Sequence, residues 1–272
     1  MPTVNSHKLR RGAAIAENSV AAAALFLIAL LPALEFVLRP MHMGIRGETD
    51  YIKHLVVWLT FVGGLIASRE NRHLALTVGV SLLGERARNR IRTLTSTLSV
   101  AVTSALAFSS YRFITLGFTP SDTVGVIPTK FVLMIMPLGF ALLGLHFIAS
   151  APNGIAYRLV AVSGVLVAWL FGYPLAEHID ALMWPSAIVL VAGALLGMPI
   201  FVALGGLAAL FFLNSTGMIA VVPNEAYTML TGPVIPTIPL FTLAGFILSE
   251  SKAGERLVAL FRATFGWLPG GL

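Results

Sequence analysis

The 272 residues are 57% apolar and only 11% charged, against about 25% charged in soluble domains. One soluble core could not hide that much apolar surface, so the bilayer has to act as solvent. The net charge of +6 sits in short clusters between apolar runs, the pattern of membrane topology, without the aromatic-interleaved basic groove of a nucleic-acid partner.

The chain reads as an all-α integral membrane protein with about eight transmembrane helices. The first expected span, 18–38, follows Lys8, Arg10 and Arg11. Its apolar core runs on to Arg39 with no small-residue cleavage site, so it is a retained span and not a signal peptide. Span two, 52–68, ends at Arg69. The stretch from Leu82 through Glu85, Arg86, Arg88, Arg90 and Arg92 predicts an amphipathic surface helix near 82–92, its arginines among anionic headgroups. Spans three and four cover 93–117 and 130–150.

Ala151-Pro152-Asn153-Gly154 breaks the helix and marks a domain boundary, dividing the chain into 1–150, a linker with connecting helix over 151–178, and 179–272. Span five is 157–174. Residues 180–219 are almost wholly apolar and would make a helix of about 60 Å, twice the ~30 Å hydrocarbon thickness. Two spans, 180–196 and 199–214, therefore meet at Gly197-Met198-Pro199, with Pro199 starting the second helix. A last span, 234–250, precedes a second amphipathic surface helix near 252–266 with Lys252, Glu255, Arg256 and Arg262. Eight crossings from a cytoplasmic N-terminus put Arg69, Arg72, the 86–92 arginines, Arg158, Lys252, Arg256 and Arg262 on one side. Both ends of the chain are expected in the cytoplasm.

Arg69-Glu70-Asn71-Arg72-His73 is the densest polar signal. It has two readings: a topology anchor with snorkelling arginines, or a docking surface, since Glu70 and His73 share a face if the helix continues. His54 and His146 are the candidate haem ligands, but the topology sets them at opposite membrane faces, where one haem cannot bridge them. Glu35 and Arg39 are spaced to pair at i, i+4. Arg112 is placed to neutralise Asp122, to contact an acidic partner, or to act as an anchor. The chain has no cysteine, hence no disulfide and no thiolate metal site. It also lacks HExxH, a Walker loop, GxSxG and a dinucleotide fingerprint, so neither an enzyme nor an ATP-driven pump is expected. Pro199, Pro236 and Pro239 are helix-break candidates. With Pro233 and Gly232, the latter two mark either a broken helix lining a cavity or a kinked start to an ordinary span.

Val57-Trp58-Leu59-Thr60-Phe61-Val62-Gly63-Gly64, followed by Ala67-Ser68-Arg69-Glu70-Asn71-Arg72-His73, resembles the hallmark stretch of the small (DctQ-type) membrane subunit of TRAP (tripartite ATP-independent periplasmic) transporters, over 1–150. Gly197-Met198-Pro199-Ile200, then Ile238-Pro239-Leu240-Phe241-Thr242-Leu243-Ala244-Gly245, then Glu255-Arg256-Leu257-Val258 leading to Gly266-Trp267-Leu268-Pro269-Gly270-Gly271-Leu272 resemble the start of the large (DctM-type) subunit. The resemblance implies a fused permease of the bacterial inner membrane, with 157–174 as the connecting helix. It further implies a periplasmic solute-binding protein as partner, organic-acid uptake with sodium as coupling ion, and no covalent cofactor. Sodium- and substrate-binding hairpins are expected beyond Leu272, in a remaining DctM-type portion, so 1–272 is expected to supply scaffold helices and to be a truncated form or fragment. A non-transporting membrane scaffold is the alternative.

Overall fold

The computed structural model describes residues 4–70 and 84–265. Arg72, His73, residues 82–83 and the 266–272 motif lie outside the described residues. The chain is an all-α membrane protein built from α1 (Val4–Leu38), α2 (Glu48–Arg69), α3 (Glu85–Gly117), α4 (Thr129–Leu133), α5 (Ile135–Ser150), α6 (Ile155–Gly172), α7 (Ile179–Leu195), α8 (Ile200–Thr216), α9 (Val221–Leu230), α10 (Thr237–Glu250) and α11 (Ala253–Phe265). A two-stranded hairpin, Thr123–Val124 with Ile127–Pro128, joins α3 to α4. Its turn needs Gly125, at φ +62°, because an added Cβ would fall 1.6 Å from the Tyr51 hydroxyl.

Among the described residues, six helices are long and apolar enough to cross a membrane, and a seventh crossing is available if α8 and α9 count as one bent pair. The expected spans fall on helices, span four on the broken pair α4 and α5, and the last two are irregular. The α8 helix ends in a left-handed cap at Gly217 and the chain turns by 118° into α9. With 14 residues, α10 spans about 21 Å, short of the ~30 Å hydrocarbon core.

The stretch expected as a separate surface helix near 82–92 is instead, from Glu85 on, the first two turns of α3. No glycine or proline interrupts 85–116, so nothing breaks the helix. Its 33 residues reach about 50 Å, and the arginine-bearing turns extend past the apolar part. The other expected surface helix is α11, whose Leu257, Val258, Leu260, Phe261 and Phe265 are exposed.

Side-chain registers fix the helix directions. Trp58 bonds the Val132 carbonyl and Phe61 lies edge-on to Phe140, so α2 and α5 run parallel. Thr103 lies against Gly144 while Ile114 shares a cluster with Leu133 and Met136, so α3 is antiparallel to both. Leu98 meets Gly193 of α7, and Thr97 meets Val160 of α6. Arg69, the 86–92 arginines and Arg158 consequently gather at one end of the bundle.

Pro137 causes the break between α4 and α5: lacking an N–H and crowding the Leu133 carbonyl, it interrupts the ladder one turn upstream. The Trp58 indole N–H donates to the neighbouring Val132 carbonyl at 2.8 Å, a bond supplied by an adjacent helix where water is absent. The connecting helix α6 packs on α3 through Ala161 and Gly164, its buried residues. A Cβ at Gly164 would come 2.4 Å from the Thr97 carbonyl oxygen, the close backbone approach that small residues allow in membranes.

The largest core cluster joins Leu65, Val100, Val102, Leu106 and Leu143 to Leu190, Val202, Leu210 and Leu213. Helices α2, α3 and α5 therefore share one interior with α7 and α8.

Candidate functional site

Polar chemistry concentrates at the two ends of α2. At its C-terminal end Arg69 reaches α1: Nη1 donates to the Glu17 carboxylate and Nη2 donates to Asn18 Oδ1 at 2.9 Å. The geometry follows from α1 being far longer than its apolar run. Helix begins at Val4, so Glu17 and Asn18 stand in regular helix beside Arg69. Glu70 caps α2 by donating its backbone N–H to the Ile66 carbonyl at 3.0 Å.

Near the other end, about 9 Å into α2 by helical rise, His54 is buried, with 7% of its surface exposed. Its Nδ1 lies 2.7 Å from the Asp50 carbonyl oxygen and its Nε2 lies 3.2 Å from the Tyr227 hydroxyl. A carbonyl can only accept, so Nδ1 carries the hydrogen and, in the neutral ring, Nε2 presents its lone pair to the tyrosine. The Tyr227 ring sits among His54, Phe113 and Phe118 at centroid distances of 5.7–5.8 Å. Asp50 meets Lys53 at 3.8 Å on the exposed side of the same turn.

His146 lies near the end of α5, and the parallel register of α2 and α5 puts it level with the Arg69 end, far from His54. Among the described residues no group of three or more His, Asp or Glu is placed to hold a metal ion.

The expected Glu35–Arg39 pair, and the Arg112–Asp122 pair that is one of three readings of Arg112, give way to contacts with nearby groups of the chain. Glu35 accepts the Ile45 N–H at 2.8 Å, because the chain leaves α1 through a short 3-10 turn holding Arg39 and doubles back over the carboxylate. Asp122 accepts the Thr119 N–H at 2.6 Å and its hydroxyl at 2.9 Å, closing its own turn and not facing Arg112. These bonds, with Lys130 nearby, hold the Asp122 carboxyl below the usual range.

The helix breaks fall close to where the prolines stand. Pro199 sits one residue ahead of α8 as its N-cap, Pro236 caps α10, and Pro239 lies in the first turn of α10. The two prolines therefore begin α10 and do not interrupt it.

Two components of one transporter family match successive stretches of the chain. Residues 28–156 match the DctQ component of the tripartite ATP-independent periplasmic transporters, and residues 187–272 match the DctM component. The chain belongs to the TRAP transporters. It is a fused component in which a DctQ part precedes a DctM part. It is 22% identical over 234 residues to the isethionate TRAP transporter permease protein DctMQ of Oleidesulfovibrio alaskensis, a match covering 82% of this chain and 36% of that protein. The chain thus spans about a third of the relative's length. No solved structure matches.

In this frame Arg69 and Glu17 lie within or beside the DctQ part, while His54–Tyr227 bonds the DctQ part to the DctM part across 173 positions. Sequence reading placed His54 at a membrane face but found no partner for it. Tyr227 carries no local signal, standing between Ala226 and Thr228 close after Asn224 and Glu225.

Proposed function

We propose that this chain is a scaffold portion of a TRAP permease, the static frame against which a substrate-carrying part of the DctM type moves. What supports the reading is the shared core: Val102 and Leu106 of the DctQ part interlock with Leu190, Val202 and Leu210 of the DctM part. Two groups of helices with one interior move as one body, since packed cores resist continuous deformation. The family supplies the rest of the proposal, namely uptake of an organic acid handed over by a periplasmic solute-binding protein and driven by sodium. The division remains 1–150, a linker and connecting helix over 151–178, and a DctM-type region over 179–272.

The proposed setting is a bacterial inner membrane, with the arginine-rich end and both chain ends in the cytoplasm. The Arg69-Glu70-Asn71-Arg72-His73 stretch then faces the cytoplasm, where Arg69 and Glu70 hold the small-subunit frame, with Arg72 and His73 as further interface candidates. The His54–Tyr227 end and the 123–128 hairpin face the periplasm, where the binding protein docks.

Two measurements test the reading. The natural chain has no cysteine, so single cysteines report topology without background. Externally added maleimide should label positions 122 and 225 and spare 88 and 255; labelling at 255 contradicts the orientation. Vesicles containing residues 1–272 alone, given a cognate binding protein and a sodium gradient, should accumulate no carboxylate solute. Sodium-dependent uptake would show that the chain is more than scaffold.

A further inference from the structure

The α9 helix is poorly anchored for a segment that turns back through 118°. It has ten residues, of which Pro223 alone is buried. Its apolar hold on the DctQ part comes from Tyr227 and Leu230, packed against the Val57, Phe61, Ile114, Leu133 and Met136 cluster, and from Val222 against the cluster that holds Val102 and Leu106. Apolar contacts of that kind are not directional, and a ten-residue helix can roll on them. One residue of roll turns a side chain through about 100° and would carry the Tyr227 hydroxyl out of reach of His54. The bond between Tyr227 and His54 is thus the feature that distinguishes one register from its neighbours.

We propose that the Tyr227 hydroxyl donating to His54 Nε2 is the polar key that registers α9 of the DctM part on α2 and α3 of the DctQ part. His54 is the lock because its second nitrogen is already committed. The Asp50 carbonyl takes the Nδ1 hydrogen, which fixes both the tautomer and the plane of the ring. Phe113 and Phe118 flank the tyrosine ring and set the direction in which its hydroxyl points. Both residues are positioning residues: they set where the α8–α9 turn sits and touch no substrate. The inference rests on the division into DctQ and DctM parts and not on transport, so its test needs no solute.

The test is hydrogen exchange of the α9 amides, read by mass spectrometry in the full chain in lipid nanodiscs. Tyr227→Phe keeps the ring and its aromatic contacts but removes the donor, and exchange over 224–231 should rise about threefold to tenfold, the range for one net hydrogen bond. His54→Phe should raise it by a similar factor, and the double variant should rise no further than either single one. His54→Gln can donate to Asp50 and accept from Tyr227, and should restore most of the protection. Protection unchanged in Tyr227→Phe would overturn the proposal, because ring packing alone would then explain the contact. Single effects that multiply in the double variant, or a His54→Gln chain no better than His54→Phe, would also overturn it.

Discussion

Arg69, the last residue of α2, clamps two consecutive side chains of α1, donating from one guanidinium nitrogen to Glu17 and from the other to Asn18. Both partners of the ion pair are about three-quarters covered, at the end of the bundle where the other arginines gather. A planar fork suits this arrangement, since it meets two acceptors at once, whereas an ammonium acts as a single point charge. The bond ties the N-terminal half of α1 to α2, on which Ile28 also packs through Ile52 and Val56.

Replacing Arg69 by Leu should therefore loosen α1 and destabilise the chain by about 1 kcal/mol, the upper range for partly exposed pairs. Arg69→Lys should recover only part of that loss. The charge-swapped pair Glu17→Arg with Arg69→Glu should recover more than either single change, read as thermal unfolding midpoints in detergent. If the swap is no better than its single components, the two residues are not coupled.

The connecting helix offers a steric prediction. At Gly164 even a methyl group would stand 2.4 Å from the Thr97 carbonyl oxygen and 2.9 Å from the Ala101 nitrogen, both backbone atoms that cannot swing away. Gly164→Ala should cost about 1–3 kcal/mol by overpacking, and Gly164→Val should displace α6 from α3. Disulfide trapping between cysteines placed at Thr97 and Val160, now joined by a hydrogen bond, reports the displacement. Efficient trapping in the Gly164→Val background would contradict it.

The apolar runs, the break at 151–154 and the turn at 197–199 were legible because each has a local cause: length against membrane thickness, or a proline or glycine at the boundary. What could not be read depends on residues far apart in the chain. Nothing local ties His54 to Tyr227, and Glu17 stands just outside the span expected over 18–38, so nothing marks it as a partner of Arg69. The surface helix near 82–92 was misjudged for a different reason. Amphipathic composition reports where side chains prefer to sit, not whether the backbone ends, and without a breaker α3 simply continues through. Pro137 is a local signal too, since it splits 130–150 into α4 and α5. The Trp58 bond to Val132 completes that break from another helix.

Acid should act at the 119–128 turn. Asp122 holds Thr119 through two hydrogen bonds, and these, with Lys130, lower its folded-state pKa. A lowered carboxyl pKa contributes stability that is complete above the unfolded value of about 3.9 and is lost as pH falls through the folded value. The turn should therefore resist nicking at pH 5 and open in stronger acid. Pepsin cleavage between 119 and 128 should rise as pH drops below about 4 in the natural chain. Asp122→Asn should be cleaved more readily at pH 5 and change less with acid. Equal acid dependence in both chains would assign the effect to other groups.

Ser110 should be better replaced than kept, as far as stability is concerned. It lies at the middle of the α3 face that also carries Thr103 and Ile114, with none of its surface exposed, and its hydroxyl has no hydrogen-bond partner. Thr103, two turns earlier, shows the usual solution by donating to the Ser99 carbonyl at 2.7 Å. A buried hydroxyl without a partner keeps its desolvation cost, about 1–3 kcal/mol from mutational data, while alanine fills nearly the same space and favours the helix. Ser110→Ala should therefore raise the unfolding midpoint, and Thr103→Ala should lower it by removing a satisfied bond and leaving space beside Gly144. A lowered midpoint for Ser110→Ala would mean that the hydroxyl makes a bond that stabilises the fold.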